Sequence, residues 1–124
     1  MTRGRIPVRA LKKAGPIAET RGRVQHFVRE PGMICDFEIV GPGIVSHVRI
    51  SCVRRLGCSP EEIARDLADE IAALRLIASS REISRELWLC SPRYAWRFFR
   101  VLDTGLAEIG RDGMLLPVAG PAQG

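Results

Sequence analysis

The sequence predicts an α/β (α+β) domain: a single mixed β-sheet with one long amphipathic helix packed on it. Two observations lead there. Runs rich in Val, Ile and Phe, bounded by Gly, Pro or Ser, recur over residues 23–29, 33–40, 44–53, 83–90 and 95–101, which is the signature of strands. Between the third and fourth runs, residues 59–78 change to apolar spacings of three and four, the period of a helix lying on a sheet. At 124 residues the chain is one domain, large enough to bury a core without disulfides or metal.

Residues 1–22 mix Arg and Lys with Gly4, Gly15, Gly22, Pro7 and Pro16 and few large apolar groups, so this stretch reads as a basic flexible arm with at most one helical turn. The net charge of +5 belongs to this end: residues 1 to 30 hold eight basic and two acidic side chains, the rest eleven and twelve. Arg23 to Arg29 forms a first strand, which ends at Pro31-Gly32. His26 within it is a packed or surface residue.

Residues 33–40 and 44–53 form the central hairpin around Gly41-Pro42-Gly43. Cys35, Phe37 and Ile39 alternate with Asp36 and Glu38, and His47 and Arg49 stand two apart on the second strand, so each pair shares a face of its own strand. With Pro42 and Gly43 as a two-residue turn, Glu38 faces His47 and Asp36 faces Arg49 in a polar cluster. A three-residue turn sends the His and Arg to the other side, unless a bulge restores the arrangement.

Ser59, Pro60 and Glu62 spell a capping box with Pro at the first helical position. Ile63, Leu67, Ile71, Leu74 and Ile77 then build one stripe to about residue 78. Outside the stripe, Glu61, Arg65 and Asp69 fall four apart as a solvated, charge-paired face. Residues 83–90 and 95–101 make a second hairpin whose Trp88, Trp96, Phe98 and Phe99 read as core, with arginines on the wet side. A short edge strand at 106–109 follows, and 110–124 is a flexible tail. The folded domain therefore spans 23–109.

Cys35, Cys52, Cys58 and Cys90 contain no C-x-x-C pair and no signal-peptide pattern or membrane-length apolar run is visible, which suggests a cytoplasmic protein with reduced thiols and no membrane role. His47, Cys52 and Cys58 match no usual zinc spacing. No Gly-rich phosphate loop and no Ser/His/Asp nucleophile elbow is present. No metal site and no cofactor are expected from these residues.

Asp36 on one strand and the triplet His47-Val48-Arg49 on the next, followed by basic residues and a capped helix, resemble the PD-(D/E)XK nuclease superfamily over about residues 23–101. The resemblance implies a restriction-endonuclease-like core in which Asp36 stands at the metal-binding Asp and His47 and Arg49 replace the acid and Lys of the acid-x-Lys triplet. A neutral imidazole is a poor Mg²⁺ ligand, and a guanidinium cannot shed its proton as Lys can. The helix that precedes the sheet in that family is missing or reduced to a turn in this reading. The expectation is a catalytically inactive nuclease-like domain, with Asp36, Glu38, His47 and Arg49 as a vestigial site, that binds nucleic acid or a protein partner. Arg3, Arg5, Arg9, Lys12, Lys13, Arg54, Arg55 and Arg97 are the candidate phosphate contacts. The alternatives are a small interaction or assembly protein, including a homodimer, in which the four polar residues satisfy one another, and an active Mg²⁺-dependent nuclease using Asp36 and Glu38.

Overall fold

The computed structural model describes residues 8–27 and 33–117. A helix, α1 (Val8–Glu19), precedes three strands, β1 (Arg23–His26), β2 (Phe37–Gly41) and β3 (Ile44–Cys52). Two short helices, α2 (Pro60–Asp66) and α3 (Ala68–Leu74), lead to β4 (Ile83–Cys90), β5 (Trp96–Val101) and β6 (Leu106–Ile109). The six strands form one mixed sheet in sequence order. Every neighbouring pair is antiparallel except β3 and β4. That pair is parallel because the chain between them crosses one face of the sheet as α2 and α3, whereas short connections of two to five residues join β2 to β3, β4 to β5 and β5 to β6.

The sheet divides two cores. On one face α1 covers Phe37, Ile39, Val48, Ile50, Trp88, Phe98 and Ile109. On the other, Ile63, Ile71 and Leu74 of α2 and α3 pack on Leu87, Leu89, Phe99 and Val101. Three aromatics form the centre of the first core, with Trp88 edge-on to Phe37 and to Phe98 at centroid distances of 5.4 and 4.8 Å, a geometry that suits the ring quadrupoles.

Three expectations are corrected. Residues 8–19 are not an arm with a single turn but a twelve-residue helix. Its buried residues, Ala10, Leu11, Ala14, Ile17 and Ala18, fall at i, i+1, i+4, i+7 and i+8, a helical face written mostly in alanine. Pro16 lies inside this helix and removes one ladder donor, a cost offset by burying that face. Residues 1–7 lie outside the described residues.

The helix expected over 59–78 is two helices of seven residues that meet at Leu67, whose φ and ψ of −113° and 31° leave the helical region. The N–H of Leu67 still reaches the Ile63 carbonyl at 2.9 Å, and that of Ile71 reaches Leu67 at 3.0 Å, so the stripe continues across the break. The surface pairs do not. Arg65 lies 3.7 Å from its neighbour Asp66, and Asp69 belongs to the next helix. The capping box is as written in the sequence: the Ser59 hydroxyl accepts from Glu62 N–H at 3.2 Å and the Glu62 carboxylate from Ser59 N–H at 3.1 Å.

The tail is folded as far as residue 117. Gly110 N–H donates to the Met114 carbonyl at 2.9 Å, Leu116 N–H to Glu108 at 3.0 Å, and Leu115 bridges Ile109. The turn chemistry of Asp112-Gly113 returns the chain along the β6 edge, with Gly113 at a φ of 83°. Residues 118–124, and the turn expected at Pro31-Gly32, lie outside the described residues.

Candidate functional site

The central hairpin takes the two-residue turn. Gly41 stands opposite Ile44 and Glu38 opposite His47, with Gly43 at a φ of 75° following Pro42, the combination a Pro-Gly turn requires. His47 Nδ1 is 3.7 Å from a Glu38 carboxylate oxygen. On its other side the imidazole stacks on Phe27, with the rings 8° from parallel and 6.4 Å between centroids.

Asp36 and Arg49 also reach beyond the cluster. Asp36 sits just before β2 and acts as backbone: its N–H donates to the Val48 carbonyl at 2.8 Å and its carboxylate accepts the Ile50 N–H at 2.7 Å. Arg49 is buried. It donates to the Met33 and Ile34 carbonyls at 3.3 and 3.0 Å, and its Nε lies 3.5 Å from Glu70 of α3. Ser51 donates to the same Glu70 oxygen at 2.8 Å. The four expected residues thus lie along one hairpin, with Glu38 beside His47 and Arg49 beside Glu70 and the 33–34 carbonyls.

A Mg²⁺ ion of the kind the resemblance implies does not fit this donor set. One Asp36 oxygen is committed to a backbone N–H, and a guanidinium lies between the β3 backbone and Glu70, where a cation would meet a like charge. Among the described residues no three His, Cys, Asp or Glu side chains converge as a ligand set.

A densely bonded polar site is one the sequence reading missed. Glu86 of β4 is fully buried beneath α1. Arg21, just after α1, grips it with two parallel bonds, both of 2.8 Å. Trp88 Nε1 donates to it at 3.0 Å and Ser84 at 3.2 Å, while Arg21 also reaches Ser46 at 3.3 Å. Burial pushes the Glu86 carboxyl up, but the bonds and charge of Arg21, with Trp88 and Ser46, more than reverse this and hold it below the ordinary carboxylate range. A Cβ at Gly113 would lie 2.6 Å from Arg21 Nη2, so the C-terminal turn closes directly over the guanidinium. The alternation Ser84, Glu86, Trp88 on a strand was the available signal, but a Glu next to Arg85 in a strand carries no local sign of a buried partner.

The expected phosphate contacts divide in two. Arg97 is spent internally: it makes two bonds of 2.9 and 2.8 Å to Glu108, donates to the carbonyls of Leu56 and Cys58, and lies over the Phe99 ring. Arg9, Lys12 and Lys13, by contrast, are exposed on the outer face of α1, above its buried alanines. Lys13 Nζ sits 5.5 Å from the Tyr94 ring centroid, which brings α1 to the β4–β5 turn, where Arg93 is exposed. Arg54 and Arg55 are also exposed, immediately after β3. Because β3 and β4 are parallel, these basic residues and the β4–β5 turn lie at the same end of the sheet. A cavity of about 260 Å³ opens there, lined by Val53, Arg54, Arg55, Asp66, Leu67 and Leu89 among others. Arg3 and Arg5 lie outside the described residues.

No helix among the described residues is long and apolar enough to cross a membrane. Comparison with family models, with curated proteins and with solved structures returns no match for this chain.

Proposed function

We propose that this protein is a non-catalytic, nuclease-like domain that binds nucleic acid along the outer face of α1 and the basic rim at the carboxyl ends of β3 and β4. The observation that carries the reading is the placement of Arg9, Lys12 and Lys13, all exposed on a helix whose opposite face is anchored in the core. A helix held rigidly presents its charges at fixed spacing, as phosphate contacts require. The order helix, three antiparallel strands, crossover and parallel strand agrees with the core that the resemblance implies, including the helix absent from the sequence reading. The internal pairing of Glu38, His47, Arg49 and Glu70 supports the non-catalytic part.

The test is fluorescence anisotropy with single- and double-stranded DNA and RNA oligonucleotides over about 50 to 300 mM salt. The expected result is a log Kd that rises linearly with log salt, and a loss of at least about tenfold in affinity for the Lys12→Glu, Lys13→Glu double variant at low salt. Absence of saturable binding to all four probes, or binding unaffected by the double variant, overturns the reading. A protein partner or a second copy has one observation in its favour: Met114, Leu115 and Leu116 are exposed large apolar residues beside the β6 edge. Sedimentation showing a dimer dispersed by Leu115→Lys, without nucleic-acid binding, would replace the first reading by that one.

A further inference from the structure

Cys52 and Cys90 are the last residues of β3 and β4, and they stand directly opposite one another in the parallel ladder. The pairing is pinned at this end by Val53 N–H, which donates to the Cys90 carbonyl at 2.9 Å. Adjacent strands lie about 4.8 Å apart, inside the Cα separation of roughly 4.4 to 6.8 Å that a disulfide spans. Both side chains point to the α1 face, in line with Ile50 and Trp88. The thiols are in contact: burial, and after it the charge and hydrogen bond of Cys52, push the Cys90 thiol up to about 11.

The two cysteines differ in access. Cys52 is exposed and Cys90 is buried, with the Cys90 thiol donating to the Ser91 carbonyl at 3.3 Å. Arg54 and Arg55, exposed and two and three residues beyond Cys52, add the electropositive setting in which an accessible cysteine reacts.

We propose that Cys52 and Cys90 are an oxidisable pair, in which Cys52 reacts with a peroxide and Cys90 resolves the product into an intramolecular disulfide across the β3–β4 ladder. In the first step the Cys52 thiolate attacks one peroxide oxygen, the O–O bond breaks and hydroxide leaves, taking up a proton to become water. In the second, Cys90 sulfur attacks Cys52 sulfur, the S–S bond forms, the S–O bond breaks and a second water departs with the Cys90 proton. Each sulfur gives up one electron and hydrogen peroxide is reduced to two waters. The bond joins the start of the crossover that carries α2 and α3 to the far end of β4.

The experiment treats the reduced full chain with hydrogen peroxide, quenches, and measures intact mass and a non-reducing tryptic map. Expected are a loss of about 2 Da, reversed by dithiothreitol, and a linked pair of peptides, residues 50–54 with residues 86–93. Cys52→Ser abolishes the loss. Cys90→Ala instead accumulates a dimedone-trappable sulfenic acid on Cys52. Since Cys90 is buried, circular dichroism establishes that this variant is folded, and the Cys52→Ser result stands without it. Linkage through Cys35 or Cys58, a disulfide between two copies of the chain, or Cys52 driven to the sulfinic acid while Cys90 stays a thiol, each overturns the proposal.

Discussion

Arg21 and Glu86, sixty-five residues apart in the chain, are joined by two bonds of 2.8 Å beneath α1. The pair ties the segment between the first helix and first strand to the centre of the sheet. A buried carboxylate gripped on both oxygens is stable only while its partner remains.

Removing the guanidinium should therefore cost more than removing the pair. Arg21→Met is expected to destabilise by about 3 to 5 kcal/mol, and Arg21→Met with Glu86→Gln by clearly less. Urea unfolding of the two variants at pH 7 makes the comparison.

The same pair sets a pH signature. In the natural chain the Glu86 carboxyl is held below its ordinary range. Its contribution is thus fully present above the unfolded pKa of about 4.3 and is lost as pH falls through the lower folded value. With Arg21 removed, burial dominates and the folded pKa moves above the unfolded one, so the sign reverses. Arg21→Met should then gain stability on acidification from pH 7 toward about pH 4.5, where the natural chain does not. Unfolding free energies at pH 7, 6, 5 and 4.5 decide it.

Deleting residues 2–22 removes α1 with its five buried side chains and Arg21. The truncated chain is expected to lose cooperative thermal unfolding, because the aromatic face of the sheet is left uncovered. Ile17→Ala alone should cost about 2 to 4 kcal/mol. A melting temperature unchanged by the deletion would show that α1 is not part of the core.

Two glycines at positive φ separate conformational strain from steric conflict. Gly43 has φ 75° and nothing within 4 Å of an added Cβ, while Gly113 has φ 83° and meets Arg21 at 2.6 Å. Gly43→Ala should cost about 1 kcal/mol and Gly113→Ala about 2 to 3. Only the second is expected to disturb the Arg21–Glu86 bonds, read as a shift of the Trp88 fluorescence.

Cleavage assays with Mg²⁺ or Mn²⁺ on DNA and RNA should show no turnover above that of an Asp36→Ala control. The control itself should be less stable by about 1 to 3 kcal/mol, since the Ile50 N–H loses a buried acceptor. Metal-dependent cutting that disappears in the control would establish a nuclease.

What the sequence determined by itself is local. Ser59, Pro60 and Glu62 start a helix because they satisfy its first N–H groups from their own side chains. Pro42-Gly43 marks the turn because one residue fixes φ and the next tolerates a positive one, but two- and three-residue turns were both open to it, and only the observed register places Glu38 across from His47. The alternation of Phe37 with Ile39, and of Trp88 with Cys90, marks strand faces whatever they are packed against. The tertiary structure decided the rest. Ala10, Ala14 and Ala18 become a buried helix face only because they share a core with Phe37 and Trp88 of the sheet. Leu67 breaks a helix whose periodicity runs on unbroken, and the heptapeptide after it turns Glu70 toward Arg49 and Ser51. Glu86 and Arg21 carry no local sign of one another. Their burial is set by the register of β3 on β4 and by a turn at Gly113, and a charge that is costly when buried alone becomes a fixed point of the fold when long-range pairing supplies its counter-charge.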